Sequence, residues 1–238
     1  MDTTPNEGRT MRTRRVGQAA ALLLAPWGFV LANAVDAWIT RHGGSDETAK
    51  GALELSAAHP SLDKWGNFAA MVGCVLMIPA VLGAMSLVRE RAARLGLLGG
   101  ALMIAGYVCY FGLCFQSYAT IAMAQHGGAT TDHVALLNAT MNQAFFVVPA
   151  LMFVAGNIIG TFLLGLAVIR ARVVSRWAGV CILAWPVLHI VGGGWGELVG
   201  AVAQAIGLAV VGLQLIGSTD ARAHDIPDES PHVAPATA

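Results

Sequence analysis

The sequence predicts an all-α fold, a polytopic membrane bundle of six transmembrane helices, from two observations. Six long apolar stretches fill most of the 238 residues, at positions 16–39, 65–88, 95–124, 144–169, 177–193 and 195–216. Most of them are long enough to cross a hydrocarbon core, which needs about 20 helical residues. Clusters of arginine fall in every second gap between the stretches, as expected for a chain that crosses a membrane repeatedly.

Composition indicates a single membrane domain. Hydrophobic residues make up 56% of the chain and charged residues 12%, and the mean hydropathy is +0.63. This leaves room for short loops and for no separate soluble domain. We expect the domain to cover residues 16–217, after a cytoplasmic segment at 1–15. The polar tail, 218–238, has too little apolar content to build a core, so we expect it to be disordered.

The arginine clusters predict the orientation. Short loops rich in cations stay on the cytoplasmic side of a membrane. One cluster precedes the first stretch (Arg9, Arg12, Arg14 and Arg15), one follows the second (Arg89, Arg91 and Arg94) and one follows the fourth (Arg170, Arg172 and Arg176). The alternate gaps together hold only three cations, Arg41, Lys50 and Lys64. Both termini are therefore predicted to lie in the cytoplasm, with the protein in the cell membrane. The formal net charge is zero, and the clusters suit lipid headgroups, so no nucleic-acid partner is predicted.

The first stretch has an alternative interpretation. Its preceding arginines, its apolar run and the triplet Ala32-Asn33-Ala34 also imitate a secretory signal peptide with its cleavage site. However, Pro26 and Trp27 are unusual in the apolar part of such a peptide, and apolar residues continue to Ile39. We favour an uncleaved first helix, with cleavage as the alternative.

Short landmarks recur along the chain at similar intervals. His42-Gly43-Gly44 follows the first stretch and His126-Gly127-Gly128 follows the third, while Leu-Gly and Arg-x-Arg landmarks close the second and fourth. Their spacing fits three helical hairpins repeated in parallel orientation. In a chain so rich in Gly, Ala, Leu and Val, chance matching is an equal alternative.

Three G-x-x-x-G pairs predict close helix packing in lipid, at Gly96 and Gly100, Gly156 and Gly160, and Gly196 and Gly200. We expect contacts within one chain, with oligomerisation through these faces as the alternative.

Polar residues at membrane depth are the candidate binding residues, because each is costly there unless it is paired or hydrated. All six stretches carry such residues toward the predicted outer side, and the selected set is Asn33, Asp36, Gln116, Asn142, His189 and Glu197. They predict a cavity open to the outside that takes a small-molecule ligand. The alternatives are carboxylates that reach the lipid headgroups and a His189–Glu197 pair that only fixes the last hairpin. The sharper interpretation of that pair is a proton-sensitive one.

No metal or cofactor is predicted. His59 and Asp63 have a spacing of four, but Pro60 interrupts the helix that would align them, and no metal-binding motif occurs. The four cysteines lie inside apolar stretches and are not spaced as metal ligands.

The first outer loop is expected to hold a short helix that starts at Ser45, ends before Pro60 and covers the cavity.

The bias toward Ala, Gly, Val and Arg, with the pattern Arg170-x-Arg172-x-x-x-Arg176-Trp177-x-Gly179, resembles multi-span integral membrane proteins of high-GC actinobacterial genomes. The resemblance is confined to the hairpin pattern. It implies a membrane protein and carries over no activity and no catalytic residue.

Three classes of function fit these patterns. The favoured one is transport or binding of a small molecule or coupled ion through the outer cavity, with Asp36 or Glu197 as the recognising charge. The second is a membrane enzyme acting on a lipid or isoprenoid at the outer leaflet, with those carboxylates as acid and base. The third is an accessory or assembly subunit of a membrane complex, surrounded like the others by membrane lipids. The chain has no nucleotide-binding, serine-hydrolase or aspartate-rich diphosphate motif, so an enzyme is the less favoured class and its catalytic residues are unknown.

Overall fold

The computed structural model describes residues 5–41, 45 and 47–224, with side chains from residue 10 to residue 217 of these ranges. Helices and no strands occur there, which confirms the all-α class. The helices are α1 (Pro5–Thr40), α2 (Ala49–Ala58), α3 (Pro60–Gln125), α4 (Thr131–Met141), α5 (Ala144–Ala155), a π-helical segment (Gly156–Gly160), α6 (Thr161–Ala171), α7 (Arg176–Val191) and α8 (Gly193–His224). Helix α8 extends past the predicted domain boundary at 217, and residues 225–238 lie outside the described residues.

Helix α3 joins the second and third apolar stretches and folds back on itself at Ala92. This residue leaves the helical conformation, with φ −143° and ψ 41°. The first arm (residues 60–91) and the second arm (residues 93–125) then run antiparallel. At their far ends the Lys64 ammonium donates to Oε1 of Gln125 over 3.1 Å, and the Tyr118 hydroxyl donates to the Lys64 carbonyl over 3.2 Å. A single distorted residue therefore replaces the loop expected between these stretches.

Four helices are long and apolar enough to span a membrane: Thr10–Thr40, Pro60–Gln125, Ala144–Ala171 and Gly193–Gly217. Helix α7 is apolar but has 16 residues. This supports the membrane class that the sequence predicts. That the chain crosses the membrane six times stays a prediction. It requires that α3 crosses twice and that the shorter α7 crosses once.

Each long helix packs antiparallel against the next, and α8 returns to pack against α1. Pairs of close residues mark these contacts (Gly28 and Gly73, Gly106 and Gly156, Gly165 and Gly179, Gly200 and Trp185, Gly212 and Leu22). As a result, the three arginine clusters gather at one end of the bundle, here called the arginine end. Arg91 from the turn of α3 donates to the carbonyl of Ala171 at the end of α6 over 3.2 Å. The opposite end carries α2 and α4 and is called the α2/α4 end.

A close main-chain contact lies between the second arm of α3 and the segment from α5 to α6. A Cβ atom added to Gly156 would stand 2.7 Å from Cα of Gly106, and one added to Gly160 would stand 2.8 Å from the Met103 nitrogen. The other G-x-x-x-G pairs also pack inside the chain, Gly96 and Gly100 against the first arm of α3, Gly196 and Gly200 against α7. The expectation of contacts within one chain is met, and oligomerisation through these faces stays a prediction.

The half of the bundle toward the arginine end has an apolar core, which we expect to exclude water and call the dry core. Large apolar side chains from α1, both arms of α3, α6 and α8 are fully buried there, among them Leu22, Met77, Val81, Leu164, Leu208 and Leu215. Other large apolar side chains point outward, including Trp27, Leu97, Phe145 and Ile206. An apolar outer surface around an apolar core is typical of a helix bundle in lipid, where the outer side chains contact hydrocarbon.

The close glycine contact generates a prediction about stability. Gly156→Ala places a methyl group against the main chain of Leu102 and Gly106, and main chain moves less easily than a flexible side chain. We expect a loss of about 1–3 kcal/mol, as for other overpacked sites. Gly112→Ala on the same arm of α3 is the matched control, because no atom lies within 4 Å of its added Cβ. Thermal unfolding in detergent measures both variants, and equal melting temperatures would contradict the packing described here.

Candidate functional site

Two adjoining cavities lie at the α2/α4 end of the bundle. The first, about 340 Å³, is enclosed by α1, α2, α3, α4 and α5. The second, about 410 Å³, lies between α1, the two arms of α3 and the start of α8. Asp36, Ile39, Asp63 and Ser117 belong to the walls of both. Both volumes fall in the range of small-molecule sites, which is roughly 300–1,000 Å³.

Helices α2 and α4 cover the first cavity. Thr48 caps α2 by accepting from the Gly51 amide over 3.1 Å, and Thr130 caps α4 by accepting from the His133 amide over 3.3 Å. The two helices pack together through Leu53 and Leu137, which are both buried. Their remaining faces supply Ala52, Leu55, Ser56 and Met141 to the cavity wall. The cavity is thus roofed by two short helices with their own small apolar core.

The short helix expected in the first loop is present, with a later start than predicted. It begins after Thr48, whereas the Ser45 hydroxyl accepts from the Glu47 amide and caps no helix. Asp46, the residue after the predicted start, lies outside the described residues. The helix ends at Ala58, before Pro60, as predicted.

Asp36 stands on the wall that the two cavities share. It lies three residues after Asn33 on α1, so both side chains face the second cavity. Asn33 donates through Nδ2 to the carbonyl of Phe29 over 2.8 Å, which uses one of the two N–H groups of its amide.

Asp63 is the second carboxylate on the shared wall, and it connects two helices. It accepts from the Ser56 hydroxyl of α2 over 2.5 Å and from Nδ2 of Asn67 over 2.8 Å. Sequence reasoning considered Asp63 only as a metal ligand with His59 and did not select it for the cavity. The spacing of Asp63 and Asn67 could have indicated its place at the cavity. The two residues are four apart at the start of a long apolar helix, so they lie on one face of it.

Glu197 closes the second cavity from α8 and contacts His189 of α7. Nδ1 of His189 lies 3.3 Å from Oε1 of Glu197, at ion-pair distance, although the ring N–H is not aligned for a hydrogen bond. The imidazole also stacks on Trp185, with ring centroids 4.9 Å apart and planes at 17°. The two residues flank the turn at Gly193, whose φ of +58° suits glycine. The pair therefore links the last two helices at the cavity rim.

The structure brings together five of the six residues that the sequence selected. Asn33, Asp36 and Glu197 line the second cavity, Gln116 lines the first, and His189 reaches the site through Glu197.

Asn142 lies outside both cavities. It is the exposed C-cap of α4, where its Nδ2 donates to the carbonyl of Asn138 over 2.8 Å. The sequence placed it near the start of the fourth membrane helix, but Thr131–Met141 forms the separate helix α4, and α5 begins only at Ala144. The exposed amide is satisfied by its own helix.

Aromatic rings form the floor of the second cavity. Phe29 and Tyr110 are the deepest wall residues of their helices, and their ring centroids lie 6.3 Å apart. Tyr110 stacks on Phe153 at 4.1 Å, and Phe29 packs on Tyr107 at 4.9 Å. This layer separates the polar cavity from the dry core.

Several polar side chains are buried inside the bundle, outside both cavities, and three of them are almost fully buried. Asn157 in the π-helical segment, Thr161 and Gln204 are each at most 5% exposed. Oδ1 of Asn157, Oγ1 of Thr161 and Nε2 of Gln204 have no hydrogen-bond partner among the described residues.

Among the described residues, no group of three or more His, Cys, Asp or Glu side chains is placed to hold a metal ion. The polar groups of the site are three carboxylates, amides and hydroxyls, with one imidazole at the rim. Such a site can hold a solvated ligand by hydrogen bonds and charge.

No protein-family model, no curated protein and no solved structure matches this chain. The resemblance to actinobacterial membrane proteins therefore stays a prediction, and the function must be argued from the site.

The bonds of Asp63 generate a prediction about the roof. Asp63→Ala removes the acceptor for Ser56, so α2 loses a polar contact to α3 and should open more often. We expect faster amide hydrogen exchange in α2, measured by mass spectrometry, with little change in α1. Asp132→Ala is the control, since Asp132 is exposed in the first turn of α4. Equal exchange in α2 for both variants would show that the Ser56–Asp63 bond does not hold the roof.

Proposed function

We propose that this chain is an integral membrane protein that binds a small molecule in a cavity open to the outside, for transport or for recognition. The observation that carries the proposal is the pair of adjoining cavities that share Asp36 and Asp63 at one end of the bundle. Carboxylates, amides and hydroxyls at membrane depth are costly unless water or a ligand satisfies them. A dry apolar core fills the other half of the bundle, so the site is closed in that direction.

In this proposal the chain crosses the membrane six times, through α1, the two arms of α3, the segment α5 to α6, α7 and α8. The gathering of all three arginine clusters at one end supports a cytoplasmic arginine end with both termini inside. The α2/α4 end then faces outward. Helix α1 contributes buried core residues such as Leu22 and Ala25, which favours an uncleaved first helix.

Helix α7 is the shortest crossing. At about 1.5 Å per residue its 16 residues reach about 24 Å, less than a hydrocarbon core of about 30 Å. A short helix is accommodated by local thinning of the bilayer or by flanking residues that reach the headgroups. Arg176 and Trp177 at its start are residues of that kind.

A membrane enzyme is the second candidate, and the contact between His189 and Glu197 favours it. An imidazole beside a carboxylate at a cavity rim is an arrangement that can move a proton. The substrate would then be a lipid or isoprenoid that enters from the outer leaflet. The accessory-subunit hypothesis depended on free G-x-x-x-G faces, and these glycines are in contact within the chain.

The proposal predicts that ligand binding depends on the cavity carboxylates. Asp36→Asn and Glu197→Gln keep the side-chain volume and remove the charge. Purified protein would be screened by thermal unfolding against a mixed set of small cations, anions and neutral molecules. We expect at least one class to raise the melting temperature, and the rise to shrink in both variants. Glu54→Gln is the control, because Glu54 is exposed on α2 and pairs with Lys50 outside the cavities.

Two results would contradict the proposal. In one, no compound of any class stabilises the protein. In the other, the ligand response survives in Asp36→Asn and Glu197→Gln while both variants unfold at lower temperature, which would assign the carboxylates to structure.

A further inference from the structure

We propose that the first cavity holds a single-chain amphiphile, a small molecule with one hydrogen-bonding head and one short apolar chain. The inference rests on the proposed binding function and adds the chemical class of the ligand. It is carried by the way in which polar and apolar residues are divided among the helices that enclose this cavity.

The second arm of α3 turns a mostly polar face to the cavity. Its wall residues are Leu113, Gln116, Ser117 and Thr120. They occupy helical positions i, i+3, i+4 and i+7, so they lie on one face of the arm, and three of the four are polar. Asp36 and Asp63 continue this side of the wall from α1 and from the first arm of α3. The side of the cavity formed by α1 and α3 is therefore its polar side.

Gln116 is the residue of the polar side that can bind the head of a ligand. Among the described residues, its side-chain oxygen and nitrogen have no hydrogen-bond partner, and neither atom is closed off from solvent. Because Gln116 lines the cavity, these atoms are accessible there. An amide offers both an acceptor and donors, which suits a hydroxyl or an amide head. A ligand without polar atoms would remove water from Gln116 and leave it unpaired, which costs free energy.

The roof of the cavity turns apolar faces to the same space. Its wall residues are Ala52, Leu55 and Ser56 of α2, Leu137 and Met141 of α4, and Phe146 of α5. Those of α2 and those of α4 are three or four positions apart, so each helix presents one face. The one polar member, Ser56, donates its hydroxyl proton to Asp63. A wholly polar ligand would place polar atoms against this roof without partners, which is also costly.

The apolar side of the cavity borders the surface that meets lipid. No residue of α5 is buried, and Phe145, next to Phe146, is 93% exposed. In the proposed membrane orientation this surface contacts hydrocarbon, where amphiphiles concentrate. The cavity volume of about 340 Å³ is near the lower end of the range for small-molecule sites. It suits a medium-chain alcohol and is too small for a phospholipid with two long chains.

Photoaffinity labelling tests the inference. The probe is a medium-chain alcohol with a diazirine in its chain. It is added to the full chain in amphipol, a polymer too large to enter the cavity, and the labelled residues are identified by mass spectrometry. We expect labelling at Met141 and Phe146 that an excess of 1-octanol abolishes. Octane, which lacks the head, and glycerol, which lacks the chain, should each need a concentration at least about tenfold higher, a difference of about 1.4 kcal/mol. Labelling at the outward Phe145 gives the background from simple partitioning.

Matched variants locate the head of the ligand. Gln116→Leu keeps a similar volume and removes the donors and the acceptor, so 1-octanol should bind on the order of tenfold more weakly. Gln143→Leu is the control, because Gln143 is exposed and makes no capping bond at the start of α5. If Gln116→Leu does not fold, Phe146→Trp, which fills part of the cavity, is compared with the outward Phe145→Trp.

The failures of the two proposals can be told apart. If 1-octanol does not reduce the labelling, if octane competes equally well, or if the cavity variant behaves like its control, the amphiphile assignment is wrong. Equal competition by a phosphatidylcholine with two long chains would overturn the limit to one chain. The binding function still stands in these cases when a compound of the mixed screen stabilises the unchanged chain and stabilises Asp36→Asn less. If nothing in either set binds, both proposals fall.

Discussion

The close approach of Gly106 and Gly156 is the packing contact at the level of the bundle where the apolar core gives way to the cavities. Because neither residue has a side chain, the second arm of α3 and the segment from α5 to α6 meet main chain to main chain. One turn further toward the α2/α4 end, the stacked rings of Tyr110 and Phe153 stand between the same two helices. A ring pair needs more room than two glycines, so we expect the two helices to stand further apart there. The dry core lies on one side of this step and the cavities on the other.

The two cavities at the α2/α4 end explain the polar side chains above the aromatic floor. A carboxylate in hydrocarbon is costly, and this chain places three around one space where water or a ligand can reach them. Asp63 bonds with Ser56 and Asn67, and Glu197 pairs with His189. These contacts hold α2 to α3 and α7 to α8, so the groups that define the cavity also position its walls.

Much of the fold could be predicted from the sequence, because apolar length and the distribution of arginine report directly on membrane helices. The fold-back at Ala92 could not be predicted. A helix that is interrupted at one residue and two helices joined by a short loop both appear in the sequence as an arginine-rich gap between apolar stretches. Helix α4 was missed because its residues adjoin an apolar stretch, which hid the break after Met141. Asp36 and Glu197 could be selected as cavity residues from the sequence, because each is a charged residue within an apolar stretch. Asp63 was missed because its bond to Ser56 depends on how α2 packs, which spacing along the chain does not report.

Access of water to the two halves of the bundle tests the account most directly. Single cysteines would replace Ala32, which lines the second cavity and is partly exposed, and Ala84, which is fully buried in the dry core, in a chain whose four native cysteines are changed to alanine. A small, charged thiol reagent that does not cross membranes would be added outside intact cells. The account predicts modification at position 32 and none at position 84. Protection of position 32, or equal reaction at both positions, would contradict an outward-open cavity above a dry core.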